Sequence, residues 1–409
     1  MNKIEDNCFF IGDLGFGPKK PLVIAELGTS HNGDLARARE MIASAAEAGA
    51  GCVKFQMVFA DEILHPNTGE VSLPGGRIRL YDRFKALEAP PDFYAEVKEY
   101  AESRGLLFLC TPFGLKSASI LREIQPKVVK IASPELNFTG LLEEIAGWNL
   151  PVLLSTGVSR MSDIEEAIEI LRIRDQGSGT GDSCTQSVRV GKSISPLTTL
   201  PDPRSLIPDP HSSLCLLHCV TAYPAPETDY NLRVLPNLAA VFGVSVGVSD
   251  HSRDPELVPA LAVCMGAAAV EKHFCLSRDD PGLDDPIALP PQEFSQMVRT
   301  VRQAAEAGPQ ETLSLFRRER TDALVERVLG SGVKELAPSE KANYRLTNRS
   351  IHALVDIQKG EVLKKSDYAV LRTEKNLRPG LEPRWEPAIE GRVARNFIPA
   401  GEGIRFEDI

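Results

Sequence analysis

Eight short apolar runs recur along the first 270 residues of this 409-residue chain, at 22–25, 52–55, 106–109, 128–131, 152–154, 214–217, 244–248 and 267–270. Stretches with helical spacing separate them, so each run, helix and next run form a strand, helix, strand unit whose strands lie parallel. The helical stretches carry their own start and stop signals. Asp34 precedes one that ends at Gly49, Pro90-Pro91 opens one that ends at Gly105, Ser162-Asp163 and Pro290-Pro291 begin two more, and Pro255 to Met265 closes at Gly266. Eight such units in about 300 residues predict an α/β fold of the (β/α)8 TIM-barrel class, which usually takes about 250 residues plus insertions. The alternative is an open doubly wound sheet. It calls for a G-x-G-x-x-G turn after the first strand and polar residues gathered at one switch point, and the chain has neither.

A barrel requires the residues just beyond each strand to converge on one face. In chain order these are Glu26; Lys54 and Gln56; Thr111; Lys130 and Glu135; Ser155; Thr221 and Tyr223; Ser249 and His251; Glu271 and His273. For Thr111, Ser155 or Ser249 taken singly, a loop residue or helix cap explains the hydroxyl as well as function does. Two lysines and two glutamates at a barrel mouth are different, because desolvating a charge is costly unless it is paired or used. His251 and His273 end adjacent strands, each beside an acidic residue. A lone histidine at a strand end is ordinarily a hydrogen-bonded surface residue, whereas two side by side can hold a divalent metal and leave positions open for substrate.

Other features bound the rest of the molecule. With 46 basic and 56 acidic residues the net charge is −10, which argues against nucleic-acid or anionic-membrane partners, so any anionic substrate must be held by local cations. The eight cysteines lie mostly inside apolar runs without paired spacing and read as reduced core residues of a cytoplasmic protein. Neither a signal peptide nor an 18-residue apolar run is evident. Residues 8–22 suggest a short hairpin serving as a plug or edge piece. The long loop 60–90 follows the second strand and so belongs to the catalytic face, where it could act as a lid. The segment 175–213, rich in Ser, Thr, Gly and Pro, falls on the opposite face and is expected to be flexible. The barrel domain is expected to occupy residues 1–308, a connector 309–345, and a small β-rich domain with two related halves 346–409, its turns at Lys359-Gly360 and Ala400-Gly401.

Ordered blocks along nearly the whole chain resemble the N-acetylneuraminate (sialic acid) synthase family, including its legionaminic, pseudaminic and spore-coat polysaccharide relatives. They are IAELGTSHNGD, FLCTPF, KIASPE, LLSTGVS, LLHCVTAYPAP, VGVSDHS, EKHF and PGLD, and the C-terminal NRSIHALVDIQKGEVL and LRPG resemble its antifreeze-like (SAF) domain. The resemblance implies metal-dependent condensation of phosphoenolpyruvate with an N-acylated hexosamine, giving a nine-carbon 2-keto acid and phosphate. His251 and His273 would hold Mn2+ or a similar ion; Lys54 would meet the carboxylate; Lys130, Thr111, Ser155 and Ser249, with Thr221 close by, would cradle the phosphate. Glu135 and Glu26 would be the catalytic carboxylates, and Gln56, Tyr223, Glu271 and Asp284 would help grip the sugar. Arg378 of LRPG would reach the N-acyl group in the partner's barrel, implying a domain-swapped homodimer. Two other classes compete: a Schiff-base pyruvate aldolase or lyase using Lys130 or Lys54, and a non-catalytic carbohydrate-binding or ice-binding protein.

Overall fold

The computed structural model describes residues 8–73, 76–172 and 213–409. A hairpin comes first, β1 (Phe9–Ile11) paired antiparallel with β2 (Leu14–Phe16). Eight parallel strands follow: β3 (Leu22–Gly28), β4 (Cys52–Met57), β7 (Leu107–Pro112), β8 (Val129–Ile131), β9 (Val152–Ser155), β10 (Leu214–Cys219), β11 (Ser245–Asp250) and β12 (Ala269–His273). Their order, β7-β4-β3-β12-β11-β10-β9-β8, is sequential around a ring, and β7 and β8 lie against each other where it closes. Helices α1 (Leu35–Glu47), α4 (Pro91–Ser103), α5 (Leu115–Glu123), α6 (Thr139–Ala146), α7 (Met161–Arg172), α8 (Val234–Phe242), α9 (Leu257–Cys264) and α10 (Pro291–Ala307) return the chain from each strand to the next or close the set. This is the (β/α)8 barrel expected from the apolar runs.

The caps act where the sequence placed them. Asp34 accepts the Ala36 and Arg37 N–H groups at the start of α1, and prolines open α4 and α10. Strand alternation then sorts the side chains into two layers. Val23, Ala25, Leu27, Val53, Phe55, Phe108, Val246 and Val270 point outward and pack on the helices. Leu22, Ile24, Cys52, Leu109, Leu153, Cys215, Leu217 and Ala269 point inward and are closed off by Phe9, Ile11 and Phe16, so the first hairpin plugs the N-terminal end of the barrel. Above that apolar interior, the same parity brings polar side chains to the C-terminal end.

The loop after β4 is structured. It holds α2 (Ala60–Ile63), a hairpin of β5 (Glu70–Leu73) and β6 (Gly76–Arg79), and α3 (Leu80–Ala86), lying on a small apolar cluster of Val58, Ile63, Leu64, Leu80 and Phe113. The expected flexible insertion, 175–213, lies outside the described residues except for Ser213. Beyond the barrel, α11 (Pro309–Glu319) packs on α9 and α12 (Asp322–Leu329) packs near residues 227–229. The C-terminal domain pairs β13 (Arg349–Ala353) with β14 (Tyr368–Arg372), and isolated bridges Ile357 to Ile398 and Val362 to Val393 join its two halves. It sits over the mouth of the barrel. His65 Nε2 lies 3.3 Å from the Leu354 carbonyl, Asn67 donates to the Ala400 carbonyl, and Asn376 donates to the Thr68 and Glu70 carbonyls, both at 2.8 Å. The seven described cysteines are free thiols, and among the described residues no helix is long and apolar enough to cross a membrane.

Candidate active site

Inward parity carries the polar strand ends to one place. Glu26, Lys54, Gln56, Thr111, Lys130, Ser155, Ser249, Glu271 and His273 line a cavity of about 740 Å³ at the C-terminal end of the barrel, joined by Thr221, Tyr223, His251 and Asp284 from the loops above. At its floor, four buried charges interlock. The Lys54 ammonium lies 2.8 Å from Glu271 Oε1 and 3.2 Å from Glu26 Oε2, and Lys130 reaches the same Glu271 oxygen at 3.5 Å. Ser249 donates to that oxygen at 2.8 Å, and Gln56 donates to Glu26 Oε1 at 2.6 Å.

Burial and charge set different protonation for each member. Burial, reinforced by the Glu271 charge, raises the Glu26 carboxyl to about 7 against the pull of Lys54. For Glu271 burial works the other way from the result: Lys130 and Lys54 overcome it and hold the carboxyl well below its usual range. Burial, with the like charge of Lys54, lowers Lys130 to about 8, although Glu271 opposes this. When Glu26 is protonated, two ammonium groups face one carboxylate and the floor is net positive. The hydroxyls of Thr111, Ser155 and Thr221 are buried without a hydrogen-bond partner among the described residues, which is costly unless a ligand or water takes them. Gly157 makes this packing possible: a Cβ there would lie 2.3 Å from Thr221 Oγ1 and 2.7 Å from Cys219 Sγ.

On the β11–β12 side the two histidine rings lie 5.5 Å apart, centroid to centroid, and Tyr223 stacks on His251 at 4.3 Å. His251 Nδ1 lies 2.7 Å from the Val220 carbonyl, which can only accept, so the proton sits on Nδ1. The Nε2 lone pair therefore faces Ser249 Oγ at 3.3 Å and Tyr223 OH at 3.4 Å. Burial lowers both rings to about 3, His251 also through the proximity of His273 and His273 also through Lys54, so both are neutral near pH 7. Neutral imidazoles oriented by a carbonyl suit a divalent cation. Asp284 Oδ2 lies 3.6 Å from His273 Nδ1. Among the described residues no third His, Cys, Asp or Glu is gathered with a pair into a ready-made metal cluster.

A profile described as the NeuB family matches residues 41–312, and one described as the SAF domain matches 348–409. The chain belongs to the NeuB family. Spore coat polysaccharide biosynthesis protein SpsE of Bacillus subtilis is 32 % identical over 406 residues, 98 % of this chain and 97 % of that one. Its crystal structure aligns with a TM-score of 0.74 over 98 % and 99 % of the two chains. An N,N'-diacetyllegionaminic acid synthase of Campylobacter jejuni is 30 % identical over 95 % of this chain and 99 % of its own. The sialic acid synthetase of Leptospira borgpetersenii, solved in complex with citrate, aligns with a TM-score of 0.59 at 28 % identity, over 82 % and 94 % of the chains. NeuB-family synthases are enzymes of sugar-acid synthesis, and the structural neighbours share the barrel.

Two residues singled out in this NeuB-family sequence are not on the cavity wall. Glu135 ends the one-turn 3-10 helix Ser133–Glu135, where successive side chains diverge by about 120°. Ser133 and Pro134 face the cavity, while Glu135, itself fully buried, turns away to pair with buried Arg349 and with Arg372, its Oε1 3.0 Å from Nε of both. It ties the C-terminal domain to the barrel, and the expectation of a reacting carboxylate there is corrected accordingly. Arg378, expected to act at a partner's barrel, is not on the wall of its own; in this chain it meets the Gly403 carbonyl and Asp408, at 2.8 and 2.7 Å. From the same domain Arg372, Glu374, Lys375 and Asn376 line the cavity, as do Arg77 and Glu70 of the loop hairpin. Sequence reading missed them because the charged turn TEKN has no periodicity that shows which way it faces. Cys219, also on the wall, could have been found from its inward parity with Cys215 and Leu217.

Proposed function

We propose that this protein condenses phosphoenolpyruvate with an N-acylated hexosamine, releasing phosphate and leaving a nine-carbon 2-keto sugar acid. The observation that carries the reading is one cavity with two chemically distinct sides. Lys54, Lys130 and the unpartnered hydroxyls of Thr111 and Ser155 lie on β4, β7, β8 and β9. The neutral histidines, Asp284 and Glu26 lie on and after β11, β12 and β3. The first side suits a small phosphorylated carboxylic acid. Lys54 receives the carboxylate, while Lys130 and the hydroxyls, with Ser249, receive the phosphate. The second side suits an aldehyde carrying several hydroxyls, gripped by Gln56, Tyr223, Glu271 and Asp284, with Arg372 on the same cavity wall and Arg378 proposed to reach the N-acyl group from the partner subunit.

Carbon 3 of phosphoenolpyruvate bonds to the aldehyde carbon, whose oxygen takes a proton. Water adds at carbon 2 and gives up one proton, and as the bond from carbon 2 to the phosphate oxygen breaks the new hydroxyl passes its remaining proton to the departing phosphate, leaving the ketone. Glu26, raised to about 7 so that it still carries its proton in part near neutral pH, and hydrogen-bonded to Gln56, is placed to give the proton to the aldehyde oxygen. His251 and His273 would hold a divalent cation, Mn2+ first among candidates, which when bound supplies Lewis-acid polarisation of that oxygen. We place the enzyme in the cytoplasm and, on the family resemblance, as a homodimer; sedimentation equilibrium tests the latter.

A second reading has one observation in its favour. Lys130, with its ammonium brought down to about 8 chiefly by burial, has the character of a Schiff-base nucleophile. Chelation separates the two. The condensation requires that metal removal abolish turnover and that Mn2+ restore it. Turnover that survives chelation, or a borohydride-trapped pyruvate adduct on Lys130, would establish the lyase instead.

A further inference from the structure

One buried polar network takes no part in the proposed chemistry. On the outer side of the ring, Asp250 of β11 and Lys272 of β12 are register partners, each about 1 % exposed. The Lys272 ammonium lies 2.6 Å from Asp250 Oδ2 and donates to Ser252 Oγ and the Asp254 carbonyl, both at 3.1 Å. Asp250 Oδ1 accepts the Ser252 N–H at 2.8 Å. The Tyr230 hydroxyl, fully buried beside this pair, accepts the His251 N–H at 2.6 Å. A buried ion pair gains little net stability over apolar packing, because desolvation offsets the attraction; its better-attested use is to fix one arrangement.

The arrangement fixed here is identifiable from strand parity. Asp250 and Lys272 each precede a histidine by one residue, and successive strand residues face opposite sides. The outward ion pair therefore sets the level of the two inward rings, and the Tyr230 hydroxyl holds the His251 backbone. We infer that Lys272, Asp250 and Tyr230 are positioning residues that hold His251 and His273 at the spacing at which both bind one divalent cation. This rests on the metal assignment proposed above.

The test uses the full-length protein in two forms. Lys272→Met/Asp250→Leu removes both charges together, leaving none unpaired, and Tyr230→Phe removes only the hydroxyl. Mn2+ affinity of the apoprotein, read by electron paramagnetic resonance titration, should fall 10- to 100-fold in both, as for other residues that orient metal ligands. Phosphoenolpyruvate affinity, measured without metal, should stay within about threefold, because the lysine side of the cavity is untouched. Lys272→Arg should restore most of the Mn2+ affinity. Independently of metal, the ring 15N shifts of His251 should show one Nδ1-protonated tautomer in the wild type and an average in Tyr230→Phe. Unchanged Mn2+ affinity and unchanged ring shifts in the folded variants overturn the inference. So does an equal loss of Mn2+ and phosphoenolpyruvate affinity, which would mark general loosening of the barrel. If wild-type protein binds no Mn2+, the metal assignment fails and the ring shifts alone decide the positioning role. If the double variant does not fold, Tyr230→Phe decides.

Discussion

A carboxyl beside an ammonium group ordinarily loses its proton more readily, yet Glu26 keeps its proton up to about pH 7 because burial and the neighbouring Glu271 outweigh Lys54. As the acid for the aldehyde oxygen, Glu26 should give a rate that falls as pH rises through about 7. Glu26→Gln keeps the shape, so kcat should drop roughly 10²- to 10⁴-fold and that limb of the pH–rate profile should vanish; an unchanged profile assigns the proton to another group. Lys130→Met removes a charged partner of the anion, worth about 1.5–3 kcal/mol, so KM for phosphoenolpyruvate should rise about 10- to 150-fold with smaller change for the sugar. At this scale most of the site was legible, because inward parity follows from counting along each apolar run. Glu135 was not, since a single 3-10 turn after β8 rotates it away from Ser133 and Pro134, and a motif does not reveal that rotation.

At the level of elements, seven of the eight barrel strands run one to three residues past their apolar runs, while β8 ends with its run at Ile131. Glu26, Thr111, Ser249 and His273 are themselves strand residues, because polar side chains pairing within the barrel satisfy one another and let the ladder continue. The turn after β14 shows a second limit of sequence reading. Glu374 and Lys375 adopt φ of 47° and 64°, a left-handed conformation that ordinary residues enter at a cost. Asn376 pins the turn to the base of the loop hairpin. Asn376→Ala should therefore weaken sugar affinity about tenfold or less, with phosphoenolpyruvate affinity unchanged; isothermal titration with each ligand separates the two. In contrast, α7 ends at Arg172 and β10 starts at Leu214, both at the N-terminal end of the strands, and the sequence order alone assigns the insertion between them to that face. Deleting residues 177–211 should leave kcat and both KM values within about twofold, and a folded but inactive deletion would overturn that placement.

At the scale of the molecule, five histidines among the described residues are held neutral by burial: His31 and His352 at about 4, and His218, His251 and His273 at about 3. Their folded pKa values lie below the unfolded value of about 6.5, so below that pH the unfolded chain takes up protons that the folded chain refuses. Stability should fall as pH drops from about 6.5 toward 4, by up to ~1.4 kcal/mol per pH unit for each histidine. Glu26 acts oppositely between about 4.5 and 7, as do Asp284, Asp285 and Glu374, whose carboxyls burial raises from lower ordinary values, so the histidines set the direction mainly in the upper part of this range. A urea midpoint that is flat or rises between pH 7 and 5 would contradict this balance. The barrel could be read from the sequence as a whole because eight repeats over-determine it. The small domain was legible as a β-rich unit over 346–409, and the SAF profile matches 348–409, but its strand bounds were not, because only β13 and β14 form a regular ladder and single bridges join the rest. The condensation itself is tested most directly by quantifying inorganic phosphate and 2-keto acid together, with Mn2+, phosphoenolpyruvate and a panel of acylated hexosamines, including N-acetylmannosamine and its diacetylated analogues. One phosphate per keto acid is expected, only when an accepted sugar is present, with a product mass equal to sugar plus the pyruvate unit. Phosphate release that ignores the sugar, or none with any sugar in the panel, would contradict it.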